Sequence, residues 1–201
     1  MKFILAKKIE MSQRFKEDGT VVPVTLVEAG PCVITQVKTK DQDGYTAVQV
    51  GFGTKREIPK PLAGHLKELG KIRFLREYRA EDAAGIEKGA KIDAGVFQVG
   101  DIVEVVGFSK GRGYAGVVKR HHFAGHKSSR GTKDQVRMPG SIGSRRQGPV
   151  QKGKRMAGRM GNDRVTLKNL EIIEVDKEKN ILAIKGAVPG ARNALLMIEG
   201  K

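Results

Sequence analysis

Tryptophan is absent, and cysteine occurs once, at position 32, in a chain of 201 residues. A single thiol excludes an intramolecular disulfide and a Cys-rich zinc module. Acidic side chains are scarce beside basic ones, 22 against 38, and aromatics make up 5%. No apolar run approaches the roughly 18–20 residues that a spanning helix needs. Phe3, Ile4, Leu5 and Ala6 form an apolar stretch of only four near the start. That is too short for the apolar region of a secretory signal. What the chain does have is 39% hydrophobic residues, 26 glycines and a net charge of +16. The apolar content supports one modest core with a small appended unit, and it is too high for a wholly disordered chain. A charge this large calls for polyanionic partners, most often nucleic acid.

The excess charge is local. Residues 109–164 hold 15 Lys/Arg but only Asp134 and Asp163, a net of +13, whereas the other 145 residues carry 23 basic and 20 acidic side chains, a net of +3. The same stretch contains 11 of the 26 glycines and three of the four histidines, His121, His122 and His126. Between 121 and 160 the large apolar residues are Phe123, Val136, Met138, Ile142, Val150, Met156 and Met160, with no period of 2 or 3.6. A loop of about 40 residues without regular structure is expected in a compact domain only when it is functional or disordered. The expectation is a loop that becomes ordered against a phosphate-rich surface. Glycine lets backbone approach closely, and Lys/Arg neutralise phosphates along the way. A solvated loop without a partner is the bland alternative.

Elsewhere the pattern is β-like. Val21, Val22, Val24, Leu26 and Val27 follow the turn signal Asp18-Gly19. Cys32, Val33, Ile34 and Val37 lead to Asp43-Gly44, and Tyr45, Ala47, Val48 and Val50 return. Further strands are expected within 96–108, 165–175 and 181–184. Short strands with turn residues between them predict a mainly β chain, an antiparallel barrel or a sandwich. One segment differs. Leu62, Leu66 and Leu69 are spaced i, i+4, i+7, with Pro61 at the start and Gly70 past the end, which predicts a short amphipathic helix. The expected organisation is a β-domain over 1–57, a small α/β insertion over 58–92, β-domain again over 93–120, a basic loop over 121–160, and closing strands over 161–201.

Several motifs point elsewhere. Gly111-Arg112-Gly113-Tyr114-Ala115-Gly116 fits G-x-G-x-x-G. A dinucleotide site needs a βαβ unit with a helix opening at that loop, and no amphipathic helix is expected in Val117-Val118-Lys119-Arg120-His121-His122. Gly148 to Lys154 fits the glycine and lysine positions of a P-loop, but Arg155 stands where a Ser/Thr would bind Mg²⁺. The three histidines lack neighbouring Cys or carboxylate ligands. Stacking on bases or hydrogen bonding to phosphate suits them better. Cys32, in an apolar run, reads as a small buried hydrophobe. No nucleophile elbow or His–carboxylate pair stands out, so neither an enzyme nor a cofactor is expected.

Gly107-Phe108-Ser109-Lys110-Gly111-Arg112-Gly113-Tyr114-Ala115-Gly116-Val117-Val118-Lys119-Arg120-His121 closely resembles the signature of the ribosomal protein L three family of the large subunit. So do Pro139-Gly140-Ser141-Ile142-Gly143, the run from Lys152 through Gly161-Asn162-Asp163-Arg164 to Thr166, and Lys185-Gly186-Ala187-Val188-Pro189-Gly190. Asp18-Gly19 with Val22-Pro23-Val24-Thr25, and Pro61-Leu62-Ala63-Gly64-His65, fit as well. The similarity covers essentially the whole chain, and the length resembles the bacterial form.

The resemblance implies a translation-protein-type six-stranded antiparallel β-barrel with a small α/β insertion and a long irregular basic extension. It implies direct binding to large-subunit rRNA near its 3′ end, a role early in assembly, and an extension reaching toward the peptidyl transferase centre. It also implies a cytoplasmic, ribosome-associated protein beside large-subunit proteins fourteen and nineteen. Carried onto this sequence, rRNA contacts are expected from Lys110, Arg112, Tyr114, Lys119 and Arg120. On the outgoing limb they are His121, His122, Phe123, His126, Lys127, Arg130, Lys133 and Arg137. Ser141, Arg145, Arg146 and Gln147 lie around the tip, which is expected near 144–147. Lys152, Lys154, Arg155, Arg159, Asn162 and Arg164 follow on the return. Two runs depart from the family. Ser128-Ser129-Arg130-Gly131-Thr132 replaces a Ser-His-Gly-Ser-type run, and Val136-Arg137-Met138-Pro139 is less basic than the usual His-Arg-Arg-Pro.

Overall fold

A computed structural model describes residues 2–67, 69–80, 85–143 and 147–200. The chain forms two compact units: Met1–Phe108 together with Arg164–Lys201, and Ser109–Asp163. In chain order the elements are β1 (Phe3–Phe15), β2 (Val21–Ala29), β3 (Cys32–Lys38), α1 (Lys40–Asp43), β4 (Ala47–Thr54), α2 (Lys60–His65), β5 (Ile72–Arg79) and β6 (Lys91–Ile92). A 3₁₀ turn (Ala94–Val96) leads to β7 (Ile102–Phe108), β8 (Tyr114–Ala115), α3 (Val117–His121), β9 (Gly158–Arg159), β10 (Arg164–Asp176), β11 (Ile181–Lys185) and β12 (Leu195–Gly200).

In the first unit six strands form one antiparallel sheet in the order β1-β12-β7-β10-β11-β2, and β2 pairs back onto β1, so the sheet closes on itself. The two 13-residue strands, β1 and β10, both carry register shifts, at Lys8/Glu10 in one and at Leu167/Leu170 and Ile172/Glu174 in the other. Such bulges bend a strand and raise its twist, which lets a long strand follow a curved sheet. Inside sit Ile4, Val27, Val105, Ile172, Leu182, Ile184, Leu196 and Ile198, all fully buried. Each such side chain contributes about 1.5–3 kcal/mol through burial. β7 shows the alternation behind this, with Val103 and Val105 buried and Ile102 outward. At its end a Cβ on Gly107 would lie 2.8 Å from Leu196 and 2.9 Å from Pro189, so only glycine fits that crossing.

A second, four-stranded sheet has the order β5-β4-β3-β6. The insertion expected over 58–92 therefore starts too late, because the strands Cys32–Lys38 and Ala47–Thr54 belong to this sheet and not to the closed one. Alternation marks a strand but does not choose its neighbour; long-range pairing does. The expected helix over 61–69 is regular only over Lys60–His65. Its apolar stripe still turns inward, with Leu66 buried and Leu62 and Leu69 half-buried. Phe3 of the closed sheet stacks on Tyr78 of β5 at 4.6 Å, and the Tyr78 hydroxyl bonds Glu199 at 3.0 Å. The two sheets thus share one core. Cys32 lies within it, its Sγ 3.3 Å from the Leu5 carbonyl, and burial pushes the thiol up to about 12.

The first unit gives way to the second at 108/109 and 163/164, not at the expected 120/121 and 160/161. The reason is that residues 109–115 and 158–163 pair with each other.

Candidate nucleic-acid interface

The second unit begins as a two-limbed ribbon. The Ser109 amide donates to the Asp163 carbonyl (2.9 Å), Arg112 to Met160 (2.9 Å), and Met160 back to Gly113 (3.0 Å). Tyr114 then pairs with Arg159 and Ala115 with Gly158 in the β8–β9 ladder. Position 161 must be glycine, because its φ is +78° and a Cβ there would collide with the Lys110 carbonyl. Asn162 follows with φ 57°. Asn is among the few residues that adopt this region readily, which gives its identity a backbone reason beside the expected rRNA contact.

A helix does follow the G-x-G-x-x-G run, contrary to expectation, but it has five residues and β8 pairs antiparallel with β9. No βαβ unit results, so no dinucleotide cradle is formed. His122 ends α3 in the left-handed region at φ 59°. A helix this short leaves no periodic pattern for a sequence window to detect. The P-loop-like run at 148–154 leads into no helix.

At the root of the unit, two residues expected to face RNA turn inward. Arg120 Nη1 donates to the Met156 carbonyl at 2.8 Å, and His121 Nε2 lies 3.1 Å from the same oxygen. One carbonyl has the two lone pairs that this needs. The arrangement fastens the outgoing limb to the return. Gly158 makes room for it, since a Cβ there would lie 2.6 Å from Arg120 Nη1. Phe123, half-buried, sits with its ring 6.1 Å from that of His121. Ala115 and Val117 are the buried apolar residues of this unit among those described. Sequence reasoning missed the fastening because a backbone carbonyl as partner leaves no mark in the sequence.

Beyond the root, the described residues between His122 and Ala157 contain no helix or strand. The His126 amide donates to the Val136 carbonyl (3.0 Å) and Ser141 Oγ to the Gly143 carbonyl (3.2 Å). Most of the expected contacts are exposed. On the outgoing side these are Lys110, Arg112, Tyr114, Lys119, His122, His126, Lys127, Arg130, Lys133 and Arg137, and then Ser141. On the return they are Gln147, Lys152, Lys154, Arg155, Arg159 and Asn162, with Arg164 exposed at the start of β10. Tyr114 is 81% exposed, unusual for an aromatic ring that buries nothing. Ser144, Arg145 and Arg146, the expected tip, lie outside the described residues.

The electrostatics separate the units. Among the described residues all seven ion pairs lie in the first unit, and none involves residues 109–163. The second unit holds 14 Lys/Arg against Asp134 and Asp163. Among the described residues its cations, Arg120 apart, are exposed along an irregular, glycine-rich backbone, and none is in an ion pair. Chemically this is a polyanion-binding surface. Among the described residues no cluster of His, Cys, Asp or Glu is arranged to hold a metal ion.

Known proteins resemble this chain along nearly its whole length. The family described as Ribosomal protein L3 matches residues 79–187. "Large ribosomal subunit protein uL3" of Herpetosiphon aurantiacus is 52% identical over 200 residues, 98% of this chain and 94% of that protein. The protein of that name from Dehalococcoides mccartyi is 49% identical over 197 residues, covering 98% of this chain and 96% of its own length. That of Corynebacterium jeikeium is 50% identical over 204 aligned positions, 99% of this chain and 94% of its own length.

Proposed function

This chain belongs to the ribosomal protein L3 family, a structural family of the large ribosomal subunit, and from that premise we propose that its second unit is an arm that binds large-subunit rRNA and acquires its final order there. The carrying observation is the segregation of charge: 14 Lys/Arg with two carboxylates and, among the described residues, no internal ion pair. Phosphates supply the missing counter-charge, and release of condensed counterions drives the association. Recognition works mainly through backbone and shape, because an irregular chain presents no regular element to a groove. Tyr114, His122 and His126 are placed to stack on unpaired bases, and Arg112, Arg130, Arg137, Arg155 and Arg159 to stack or to pair with phosphate. Arg120, His121 and Phe123 shape the root of the arm.

The remaining features follow the family. The first unit is the translation-protein-type barrel that anchors the protein near the 3′ end of the large rRNA, early in assembly. The arm tip, with Arg145 and Arg146, runs toward the peptidyl transferase centre. Large-subunit proteins fourteen and nineteen are neighbours, and the protein works in the cytoplasm without a cofactor or catalytic step.

The test is the salt dependence of binding to large-subunit rRNA. Replacing Lys152, Lys154 and Arg155 with Ala weakens binding and flattens the slope of log K against log salt by about 0.7–0.9 for each phosphate that is no longer neutralised. An unchanged slope means that these side chains do not meet phosphate.

A further inference from the structure

We propose that the first unit carries a docking groove for a basic polypeptide segment, separate in chemistry from the RNA-binding arm. Its floor is apolar and open. Phe15 and Val99 are each 67% exposed, and Ile102 is 50% exposed. Backbone pairing sets the 99–102 segment beside Glu171 and Ile172. Gly100 donates to the Ile172 carbonyl at 2.8 Å, Ile172 donates to Asp101 at 3.0 Å, and Ile102 is paired with Glu171. Phe15, Val99 and Ile173 line a cavity of about 560 Å³, and Ile102 and Leu170 line a second of about 450 Å³. The two adjoin at Gly100 and Glu171, which line both. Single exposed apolar side chains are ordinary, whereas a contiguous trough of them marks an interaction surface.

The rim decides the occupant. Glu17, Asp18 and Glu171 border the trough, with Lys16 and Lys185. Lys185 is taken up by Glu171 at 2.9 Å. Glu17 and Asp18 are exposed and have no ion-pair partner among the described residues. In a chain of net charge +16, this is a place where uncommitted carboxylates outnumber uncommitted amines. A phosphate backbone would be repelled there. A polypeptide that brings Lys or Arg beside apolar side chains satisfies both the floor and the rim. The source of that segment, a neighbouring protein of the large subunit, rests on the function proposed for the family.

The experiment places the photo-crosslinker p-benzoylphenylalanine at Val99 in the full-length chain, assembles it into large subunits and irradiates them. A second chain carries the probe at Ile142, in the arm. The expected result at position 99 is an adduct that survives ribonuclease and is lost on proteolysis. Its mass spectrum identifies a segment of another ribosomal protein with Lys or Arg next to apolar residues. An adduct with rRNA, an adduct with a second copy of this chain, a protein segment lacking Lys and Arg, or no adduct at all overturns the proposal. The Ile142 probe reports on the arm separately. An rRNA adduct there without a protein adduct at 99 sinks the groove alone, and the reverse result sinks the arm and leaves the groove standing. Charge is tested in the same assay: Glu17→Lys with Asp18→Lys lowers the adduct yield at position 99 about 3–10-fold. An unchanged yield removes the charge argument.

Discussion

The two units of this chain hold opposite solutions to the same composition problem. In the first, Lys and Arg are nearly balanced by Asp and Glu, all seven described ion pairs are found, and long apolar side chains face inward from two sheets. In the second, 14 cations meet two carboxylates, and only Ala115 and Val117 are buried among the described residues. The first unit therefore contains the source of its own order. The second has a fastened root and a long exposed remainder whose charge asks for a partner. A chain can carry both because the hydrophobic effect stabilises the one and counterion release the other.

The comparison breaks most readily at the core. Leu182→Ala removes a fully buried side chain of the closed sheet and is expected to cost about 2–5 kcal/mol of unfolding free energy. Met138→Ala, at a side chain 49% exposed in the arm, is expected to stay within about 0.5 kcal/mol. Chemical denaturation followed by circular dichroism measures both. A large loss at Met138 would mean that the arm has a core of its own.

A smaller, local effect sharpens the distinction between root and remainder. Arg120→Ala removes the 2.8 Å bond to the Met156 carbonyl, a charged hydrogen bond worth about 1.5–3 kcal/mol. The Arg112 and Met160 amides, which close the ribbon, should then exchange faster with solvent, while the closed sheet keeps its protection. Gly161→Ala forces a side chain into the left-handed region and against the Lys110 carbonyl, and about 1 kcal/mol or more of local destabilisation is expected. Exchange at the same two amides reports it, and unchanged rates would remove the ribbon as the source of order in the root.

The smallest effect is electrostatic and belongs to the first unit. The Lys38 ammonium and the Tyr45 hydroxyl hold the Glu77 carboxyl below its usual range. The Gln98 amide and then Lys2 do the same for Asp101, and Lys185 does so for Glu171. Carboxyls depressed in the folded state contribute stability that is fully present above their ordinary, unfolded values and is lost as pH falls through the folded ones. Thermal stability of the first unit should thus fall on acidification below about pH 4. Exchange of the His126 amide in the arm should change only as ordinary acid catalysis requires, because no such pair lies beside it.

The segregation of charge was legible in the sequence because it is composition, read residue by residue between 109 and 164. Strand positions were legible through alternation and turn signals such as Asp18-Gly19. Sheet membership was not. Nothing in Cys32–Lys38 tells whether that strand joins the closed sheet or the second one, since the choice lies with partners far along the chain. α3 escaped notice because five residues show no periodicity. Arg120 and His121 are RNA contacts that the family resemblance implies, and the structure adds a bond from each to the Met156 carbonyl, which no pattern in the sequence announces. Asn162 is explained by its backbone angle as much as by any ligand. What a sequence conceals here is chiefly the use of backbone atoms as partners.

The most direct test is hydrogen exchange on the full-length protein, free and bound to large-subunit rRNA. Amides between 127 and 155 are predicted to exchange rapidly in the free protein and to gain protection on binding, while the closed sheet is protected in both states. Protection of that stretch before any RNA is added would contradict the account.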